Sequence, residues 1–484
     1  MPHRAQQSRL PAAIVVGGGI AGLVSARELA LHGVKVTVLE AAERCGGCVT
    51  RHEVAGFLLD AGAESFATRT RTVSDLAAEL GLGAELVQPD PAGAWLQLPD
   101  SVQPLPKSGI LGIPADPLDP AIVAAIGRTA ALRAAADKVL PLGNLLSKEG
   151  LSLGELVRAR MGGTVLERLV APVAAGVYSA DPDVLDVDSV APGLRASVAS
   201  HGSLQAAVGA LRSAAPAGSA VAGIDGGMGR LTEALLADLA RHGVAVHTGA
   251  KVSAVSRRDG VWRVESEAGP FTAEGLVMAA DGGTAVDLLA PELPGLGALR
   301  PGPGPAVALV TLVLDEPELD AKPRGTGLLV AAGTRGVRAK ALTHATAKWP
   351  WLAEQTGPGT HVLRLSYGRA TGHPEAAGGE DYTGWTDEAL YRQALTDATA
   401  LLGVPVIDAD ILGWKVVRWT GALPSATVGH RDRVAAVREL AGSSHRLQVA
   451  GAWLAGTGLV AVVADARARS RQLAAELATQ PPSS

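Results

Sequence analysis

Residues 13–40, AIVVGGGIAGLVSARELALHGVKVTVLE, constrain the fold more than any other part of the chain. They read as strand, glycine turn, helix, strand and acid. Ile14, Val15 and Val16 form a short β-branched run. Gly17, Gly19 and Gly22 follow in G-x-G-x-x-G spacing and open an Ala/Leu-rich helix. The chain returns through Lys35 to Leu39 and ends at Glu40. Each part has a physical task in dinucleotide binding. Gly17 permits the tight turn, Gly19 lets a pyrophosphate approach the backbone, and Gly22 lets helix and strand pack closely. The helix start, with Gly18, Ile20 and Ala21 around it, offers N–H groups and a partial positive charge to phosphate. Glu40 accepts hydrogen bonds from a ribose diol and would repel a 2′-phosphate. A glycine triplet alone is a weak signal, but here the strand, helix, second strand and acid all accompany it.

The continuation selects the dinucleotide. Arg44-x-Gly46-Gly47 and then Asp60-x-Gly62 follow the acid. This sequel resembles the FAD-binding amine-oxidase and porphyrinogen-oxidase superfamily. A nicotinamide dehydrogenase has no evident use for a second glycine pair there.

At 484 residues the chain exceeds one ordinary core, so two or three domains are expected. A net charge of -5 argues against a nucleic-acid partner, which would require a basic surface. The first residues, MPHRAQQSRLPA, are polar, so no signal peptide is expected. No run approaches the roughly 18 apolar residues needed to span a bilayer. Residues 119–141 carry Arg128, Arg133, Asp137 and Lys138 among alanines, which reads as a soluble amphipathic helix. A cytoplasmic protein with no stable membrane insertion is the expectation. Cys45 and Cys48 are formally C-x-x-C. One reading is a redox dithiol beside a flavin. The other is coincidence around a required Gly-Gly, favoured because the pair follows an acid in a loop and does not start a helix. Zinc is not expected, because no second Cys/His pair accompanies the first.

The fold class read from these patterns is α/β: a discontinuous Rossmann-type FAD-binding domain, a mixed-sheet substrate domain and a helical insertion. The FAD-binding domain takes residues 9–69, 216–296 and 427–478. Its second visit shows a helix from Gly229 to Arg241, a strand at 244–247, alternating strands at 251–257 and 261–265, and a buried-type strand at 276–280. Its third visit shows a strand at 447–451 and a helix at 460–477. The substrate-binding domain takes 70–104 and 297–426, where strands dominate, as at 306–314 and 361–367. The helical insertion takes 105–215. Residues 293–305 read as a crossover and 213–219 as a short linker.

Nearly end to end, the chain resembles the oxygen-dependent porphyrinogen oxidases, the family of protoporphyrinogen oxidase and of the coproporphyrinogen III oxidase of Gram-positive bacteria. GGGIAGL and RCGGCVT resemble its flavin segments, and GAESFATRT its G-P-[DE]-S-F stretch. PLPKSGILGIPA resembles a signature near the substrate region. SLGELVRARMGGTVLERLVAPVAAGVYSADP is the most specific match. GTGLLV, AKWP, VVRWTGALPSATVGHRDRV and GAWLAGTGL complete the series. The resemblance implies that FAD accepts hydride at N5 in successive two-electron steps. A porphyrinogen loses six electrons and six hydrogens in all, and molecular oxygen is reduced to hydrogen peroxide. It also implies a place in haem biosynthesis, with a ferrochelatase as a transient downstream partner. Between the two substrates, the SLGEL and PKSGILGIP segments favour coproporphyrinogen.

Carried over residue by residue, the resemblance places Gly17, Gly18, Gly19, Ile20, Ala21, Gly22, Glu40 and Ala41 on the ADP half. Gly46 and Gly47 face the pyrophosphate or ribityl chain. Gly62, Ala63, Glu64 and Ser65 pass beside the flavin ring, the alternative for Glu64 and Ser65 being an ordinary capped turn. Val252 contacts adenine or is simply a core strand valine. Trp414, Gly458, Leu459 and Val460 close over the isoalloxazine, with the helix dipole near N1. The usual Pro-Asp-Cys-Ile after that glycine is Val460-Ala461-Val462-Val463 here. For the macrocycle, Gly176 offers a backbone carbonyl and Leu329 packs on the ring. Thr326 stands where some relatives are aromatic. Ala94 stands where eukaryotic relatives have a propionate-binding Arg, so Arg69, Lys107 and Lys340 are the candidates for that role. Between Lys322 and Lys348 lie Arg324, Arg335, Arg338 and Lys340 with no acid among them. They read either as a rim for a tetracarboxylate or as a solvated basic hairpin. No catalytic triad and no metal site is expected. Other flavin amine oxidases and desaturases, and a porphyrin-binding flavoprotein without turnover, remain the alternatives.

Overall fold

The structure is a computed structural model that describes residues 10–107, 109–214, 219–302, 304–368, 381–421 and 426–479. The N-terminal polar segment, most of the 213–219 linker, and parts of the 293–305 crossover and of the VVRWTGALPSATVGHRDRV stretch lie outside the described residues.

The opening strand, Ala12–Val16, is followed by the helix Ile20–Leu31 and the strand Lys35–Leu39. The strand sits at the centre of a five-stranded parallel sheet. The order across that sheet is Ala245–His247, Lys35–Leu39, Ala12–Val16, Gly275–Met278, Leu447–Val449. Strands from three distant parts of the chain therefore make one sheet. Its strands read as continuous apolar runs because both faces are covered. One face packs under the helices Ile20–Leu31, Gly229–Arg241 and Leu459–Ala478. The other packs against a three-stranded antiparallel layer, Val252–Arg258, Val261–Ser266 and Gly269–Ala273, through Val255, Trp262 and Val264. The sequence showed the first two of these strands; the third, GPFTA, has too little alternation to be seen.

The second sheet has seven strands, in the order Ile411–Trp419, Val307–Asp315, Thr360–Tyr367, Ala341–His344, Gly327–Val330, Trp95–Gln97, Val102–Pro104. One face carries Ala308, Val310, Leu312, Leu363, Leu365 and Tyr367 and is covered by a 16-residue helix, Asp387–Leu402. The sequence reading gave this region to strands and missed that helix. Its signals are present: Thr386 caps it by accepting from the Ala389 N–H at 3.2 Å, and Leu390, Ala394, Ala398 and Leu401 form a helical stripe.

Helices between Pro120–Ile126 and Leu204–Ser213 gather around a separate apolar core. Residues 119–141 are not one amphipathic helix. Gly127 divides them into Pro120–Ile126 and Arg128–Ala135, and a short 3-10 turn, Ala136–Lys138, follows. Asp137 points inward, fully buried, and pairs with Arg160 at 2.6 Å. Among the described residues no helix is long and apolar enough to cross a membrane.

Candidate functional site: a glycine-lined cradle at the sheet's carboxyl edge

Gly17 adopts φ +106°, which an L side chain rarely takes, and a Cβ there would lie 2.7 Å from the Ala279 carbonyl oxygen. A Cβ on Gly22 would overlap the Gly17 carbonyl oxygen. Gly19 differs: nothing lies within 4 Å of where its Cβ would be. It stands at the start of the helix Ile20–Leu31, which no side chain caps. The turn thus presents open space above uncapped N–H groups, which suits a pyrophosphate.

The second glycine pair closes on the first. The Gly46 N–H donates to the Gly18 carbonyl at 2.8 Å, Gly19 and Gly46 form an isolated parallel bridge, and Gly47 packs on Gly19. Glu40 accepts from the Gly18 N–H at 2.5 Å and from the Ala42 N–H at 2.8 Å. Its carboxylate spans the two loops and retains lone pairs for hydroxyl donors. Ala41 is exposed beside it. Cys45 is buried next to Gly18, and burial, helped by the Glu40 carboxylate, pushes its thiol up to about 11. Burial raises Cys48 as well. Both are free thiols whose protonated form is favoured, Cys45 inside the protein and Cys48 at its surface, which favours coincidence over a redox dithiol.

Residues 60–65 run beside this loop. A Cβ on Gly62 would overlap the Cys48 carbonyl oxygen, and the Ala63 N–H donates to that oxygen at 2.8 Å. The Asp60 carboxylate accepts from the Met228 and Gly229 N–H groups at 2.9 and 3.0 Å, tying the segment to the start of the helix Gly229–Arg241. Burial pushes the Asp60 carboxyl up to about 6 against those donors. Glu64 is ion-paired with Lys348 and, at 2.9 Å, with Arg364. Burial opposes its ionisation, but Arg364 and Lys348 outweigh it and hold the carboxyl down at about 2. Glu64 is therefore not part of a simple capped turn. Lys348, Arg364 and Trp419, whose Nε1 donates to the Ala61 carbonyl at 3.0 Å, were not read as site residues. A lone Arg inside the apolar strand HVLRLSY was the available signal.

Trp414 turns the other way. It stacks on Tyr391 with ring centroids 4.5 Å apart, on the face covered by the helix Asp387–Leu402. Trp419, five residues on in the same strand, presents the opposite face toward Ala61. Val252 is buried with Ile14 and Leu39 in the core beneath the antiparallel layer. Gly458 precedes the helix Leu459–Ala478 without a side-chain cap, and Leu459 and Val460 pack on the same core cluster as Ala63.

Gly176, in the helix Ala171–Tyr178, meets Leu329 of the strand Gly327–Val330; a Cβ on Gly176 would lie 2.6 Å from Leu329 Cδ2. Leu329 pairs in register with Ala341, and Arg364 pairs with Thr343 two positions along the same neighbouring strand. Leu329 and Arg364 thus share one sheet face, two strand spacings and two residues apart, about 12 Å between their Cα atoms. Thr326 is buried, its N–H bonded to the Gly93 carbonyl at 2.9 Å. Arg69 is exposed, near enough to Tyr178 to act on its phenol electrostatically. Lys107 is exposed and donates to the Pro91 carbonyl at 3.3 Å. Lys340 is only 2% exposed and donates to the Ser179 hydroxyl.

Apart from the exposed Arg335, the basic run is spread over separate partners and does not form a rim. Lys322 pairs with Asp90 at 2.6 Å, Arg324 lies over Trp95, Arg338 over Trp385, Lys340 is inside and Lys348 is on Glu64. The pleat and the hairpin turn scatter charges that are neighbours in sequence.

A parallel βαβ sheet with an open glycine turn, an acid after its second strand and a second glycine pair defines a dinucleotide-binding oxidoreductase of the flavoprotein class. The chain belongs to the family of flavin-containing amine oxidoreductases, whose pattern matches residues 20–478, and FAD is its cofactor. It is 30% identical to a coproporphyrinogen III oxidase of Mycobacterium leprae (strain TN), covering 96% of this chain and 98% of that protein. It is 26% identical to the coproporphyrinogen III oxidase of Bacillus subtilis (strain 168), covering 92% and 94%. A crystal structure from Exiguobacterium sp. 255-15, given there as a candidate protoporphyrinogen oxidase, superposes with a TM-score of 0.83 at 27% identity and covers 96% of this chain and 99% of that one.

Proposed function

We propose that the protein oxidises coproporphyrinogen III to coproporphyrin III, with molecular oxygen as the electron acceptor and hydrogen peroxide as the second product, in the cytoplasmic phase of haem synthesis. The observation that carries this reading is likeness along 96% of the chain to a coproporphyrinogen III oxidase, together with an open glycine cradle built for FAD. When bound, FAD supplies the hydride acceptor. The chain supplies position. Gly17 to Gly22 and the uncapped helix start receive the pyrophosphate, and Glu40, beside Ala41, receives the ribose. Gly46 and Gly47 close over the diphosphate side. Gly62, Ala63, Glu64 and Ser65 lie along the ring, and Gly458, Leu459 and Val460 approach it from the C-terminal helix. Gly176 and Leu329 offer an apolar contact for a flat macrocycle. Arg69 and Lys107, both exposed, are available to carboxylates, whereas Lys340 acts from a buried position through Ser179. The product carries no metal, so a metal-inserting enzyme of the ferrochelatase type consumes it.

Protoporphyrinogen, with two carboxylates, is the second reading. The scattering of Lys322, Arg324, Arg338 and Lys340 over separate partners removes the continuous basic rim that would single out a tetracarboxylate. The test is to purify the protein, record its visible spectrum, and follow porphyrin fluorescence and oxygen uptake with each reduced porphyrinogen. Turnover of the four-carboxylate substrate supports the proposal; turnover of protoporphyrinogen alone replaces it. A flavin-bearing protein inert to both would leave the fold and remove the reaction.

A further inference from the structure

Arg364 belongs to the large sheet, yet its guanidinium works on the flavin segment. It donates to the Gly62 carbonyl at 2.7 Å and to the Asp60 carbonyl at 3.4 Å, and pairs with the Glu64 carboxylate at 2.9 Å. The other Glu64 oxygen is held by Lys348, and the intervening Ala61 carbonyl by Trp419 at 3.0 Å. All four of these carbonyl and carboxylate sites are thus gripped from the substrate side. The N–H groups of Ala61 and Ala63 point the other way, to the Thr50 and Cys48 carbonyls at 2.9 and 2.8 Å. The segment is clamped from both sides. Arg364, Glu64 and Lys348 side chains are only 14–16% exposed, so water competes weakly with these charge-assisted bonds. Thr311 and Thr343 are its cross-strand neighbours and leave room for the guanidinium to lie across the sheet.

We propose that Arg364 is a positioning residue of the flavin site: its bonds to Asp60, Gly62 and Glu64 set where residues 62–65 lie against the isoalloxazine, relative to a substrate seated on the same sheet face at Gly176 and Leu329. This rests on the reading that residues 62–65 pass along the ring. A planar guanidinium serves two carbonyls and a carboxylate at once; an ammonium has neither the reach nor the fork geometry to do so. Lys348 alone keeps Glu64 neutralised but leaves both carbonyls free to move. A displacement of about 1 Å between reacting centres costs roughly a hundredfold in rate.

The experiment compares Arg364→Met, Arg364→Lys and Gly62→Ala as purified holoenzymes. It reads the visible flavin spectrum, the flavin reduction potential, and kcat and KM separately. Arg364→Met is expected to keep its flavin, because Gly17 to Gly22 are untouched. Its visible bands and potential shift, and kcat falls about a hundredfold while KM changes by less than about threefold. Arg364→Lys restores charge without geometry and recovers at most about a tenth of kcat. It also serves as the deciding variant should Arg364→Met fail to fold. Arg364 variants with unchanged spectrum, potential and kcat overturn the proposal, as does outright loss of flavin from a folded Arg364 variant. A shifted spectrum in Gly62→Ala, with none in the Arg364 variants, overturns the proposal and keeps the placement of the segment. Unchanged spectra in all three remove that placement too.

Discussion

The Glu40 carboxylate and the Gly18 N–H are 2.5 Å apart, so the acid at the end of the second strand also braces the glycine turn at the end of the first. The same carboxylate holds the Ala42 N–H at 2.8 Å. Glu40 therefore shapes the phosphate loop, and in the proposed site it has a second task, to face the ribose.

Replacing Glu40 by Ala removes both. Charge-assisted hydrogen bonds contribute roughly 1.5–3 kcal/mol each, so the loss of FAD affinity is expected to reach about ten- to a hundredfold. Titrating FAD into the apoprotein and following quenching of flavin fluorescence measures it. Glu40→Gln should retain part of the affinity, because its amide oxygen still accepts from one N–H. An unchanged dissociation constant for Glu40→Ala would show that the acid contributes nothing to the cofactor.

Gly22 and Gly19 make opposite predictions although both belong to one motif. A Cβ on Gly22 overlaps the Gly17 carbonyl, a backbone atom that cannot swing aside. Gly22→Ala should destabilise the apoprotein by more than about 3 kcal/mol, beyond ordinary overpacking. Gly19 has φ -70° and open space, so Gly19→Ala should melt within a degree or two of the apo wild type, roughly 0.5 kcal/mol or less. What it should lose is FAD, because the added methyl occupies the pyrophosphate's approach. Thermal melts of apo and FAD-loaded protein separate the two effects; equal destabilisation of the apoproteins would contradict the geometry.

Much of the glycine cradle was legible because its signal is local. The spacing of Gly17, Gly19 and Gly22, and the run from Gly229 to Arg241, need no knowledge of distant chain. The clamp on residues 60–64 was not legible, because its partners lie 284 and 302 residues away along the chain. Trp414 shows a different limit. Alternation places Trp414 and Trp419 on opposite faces of one strand, but a strand's pattern does not say which face meets the cofactor domain when both are apolar. The basic run from Lys322 to Lys348 misleads for a related reason: charges adjacent in sequence leave a pleated hairpin on different sides. The split of residues 119–141 at Gly127 was visible in principle, as Asp119-Pro120 and Gly127 are start and stop signals.

The pH dependence of stability follows from Glu64. Its carboxyl is held at about 2 in the folded protein, below the usual 4.5. A depressed acid contributes stability that is fully present above about pH 4.5 and is lost as pH falls toward 2. The contribution is at most about 3 kcal/mol. Asp60, raised to about 6, has the opposite sign: its ionisation costs stability as pH rises from about 4 to 6. Because the Glu64 charge also raises Asp60, the first effect is isolated by urea unfolding of Asp60→Asn and of the Asp60→Asn/Glu64→Gln double variant between pH 6 and 2.5. The gap between them should be constant above pH 5 and shrink below 4.5. A gap that stays level to pH 2.5 would mean that the ion pairs with Arg364 and Lys348 contribute no net stability.

The contact between Gly176 and Leu329 tests the substrate face without touching the flavin. A methyl on Gly176 would come within 2.6 Å of Leu329 Cδ2, the far end of a side chain that can rotate. The strain is therefore relieved by moving the half-buried Leu329, which in the proposed site shifts the surface that the macrocycle would contact. Gly176→Ala should raise KM for the porphyrinogen about fivefold to tenfold, equivalent to roughly 1–1.4 kcal/mol, with the visible flavin spectrum unchanged. Leu329→Ala removes the apolar contact and should raise KM by a similar factor. In the double variant the alanine at 176 has nothing to push. The two effects should then combine to less than their product, since they act through one contact. Steady-state kinetics on the four proteins reads the coupling directly. Strict multiplication of the single effects would place Gly176 and Leu329 in separate roles and would dissolve the shared macrocycle contact.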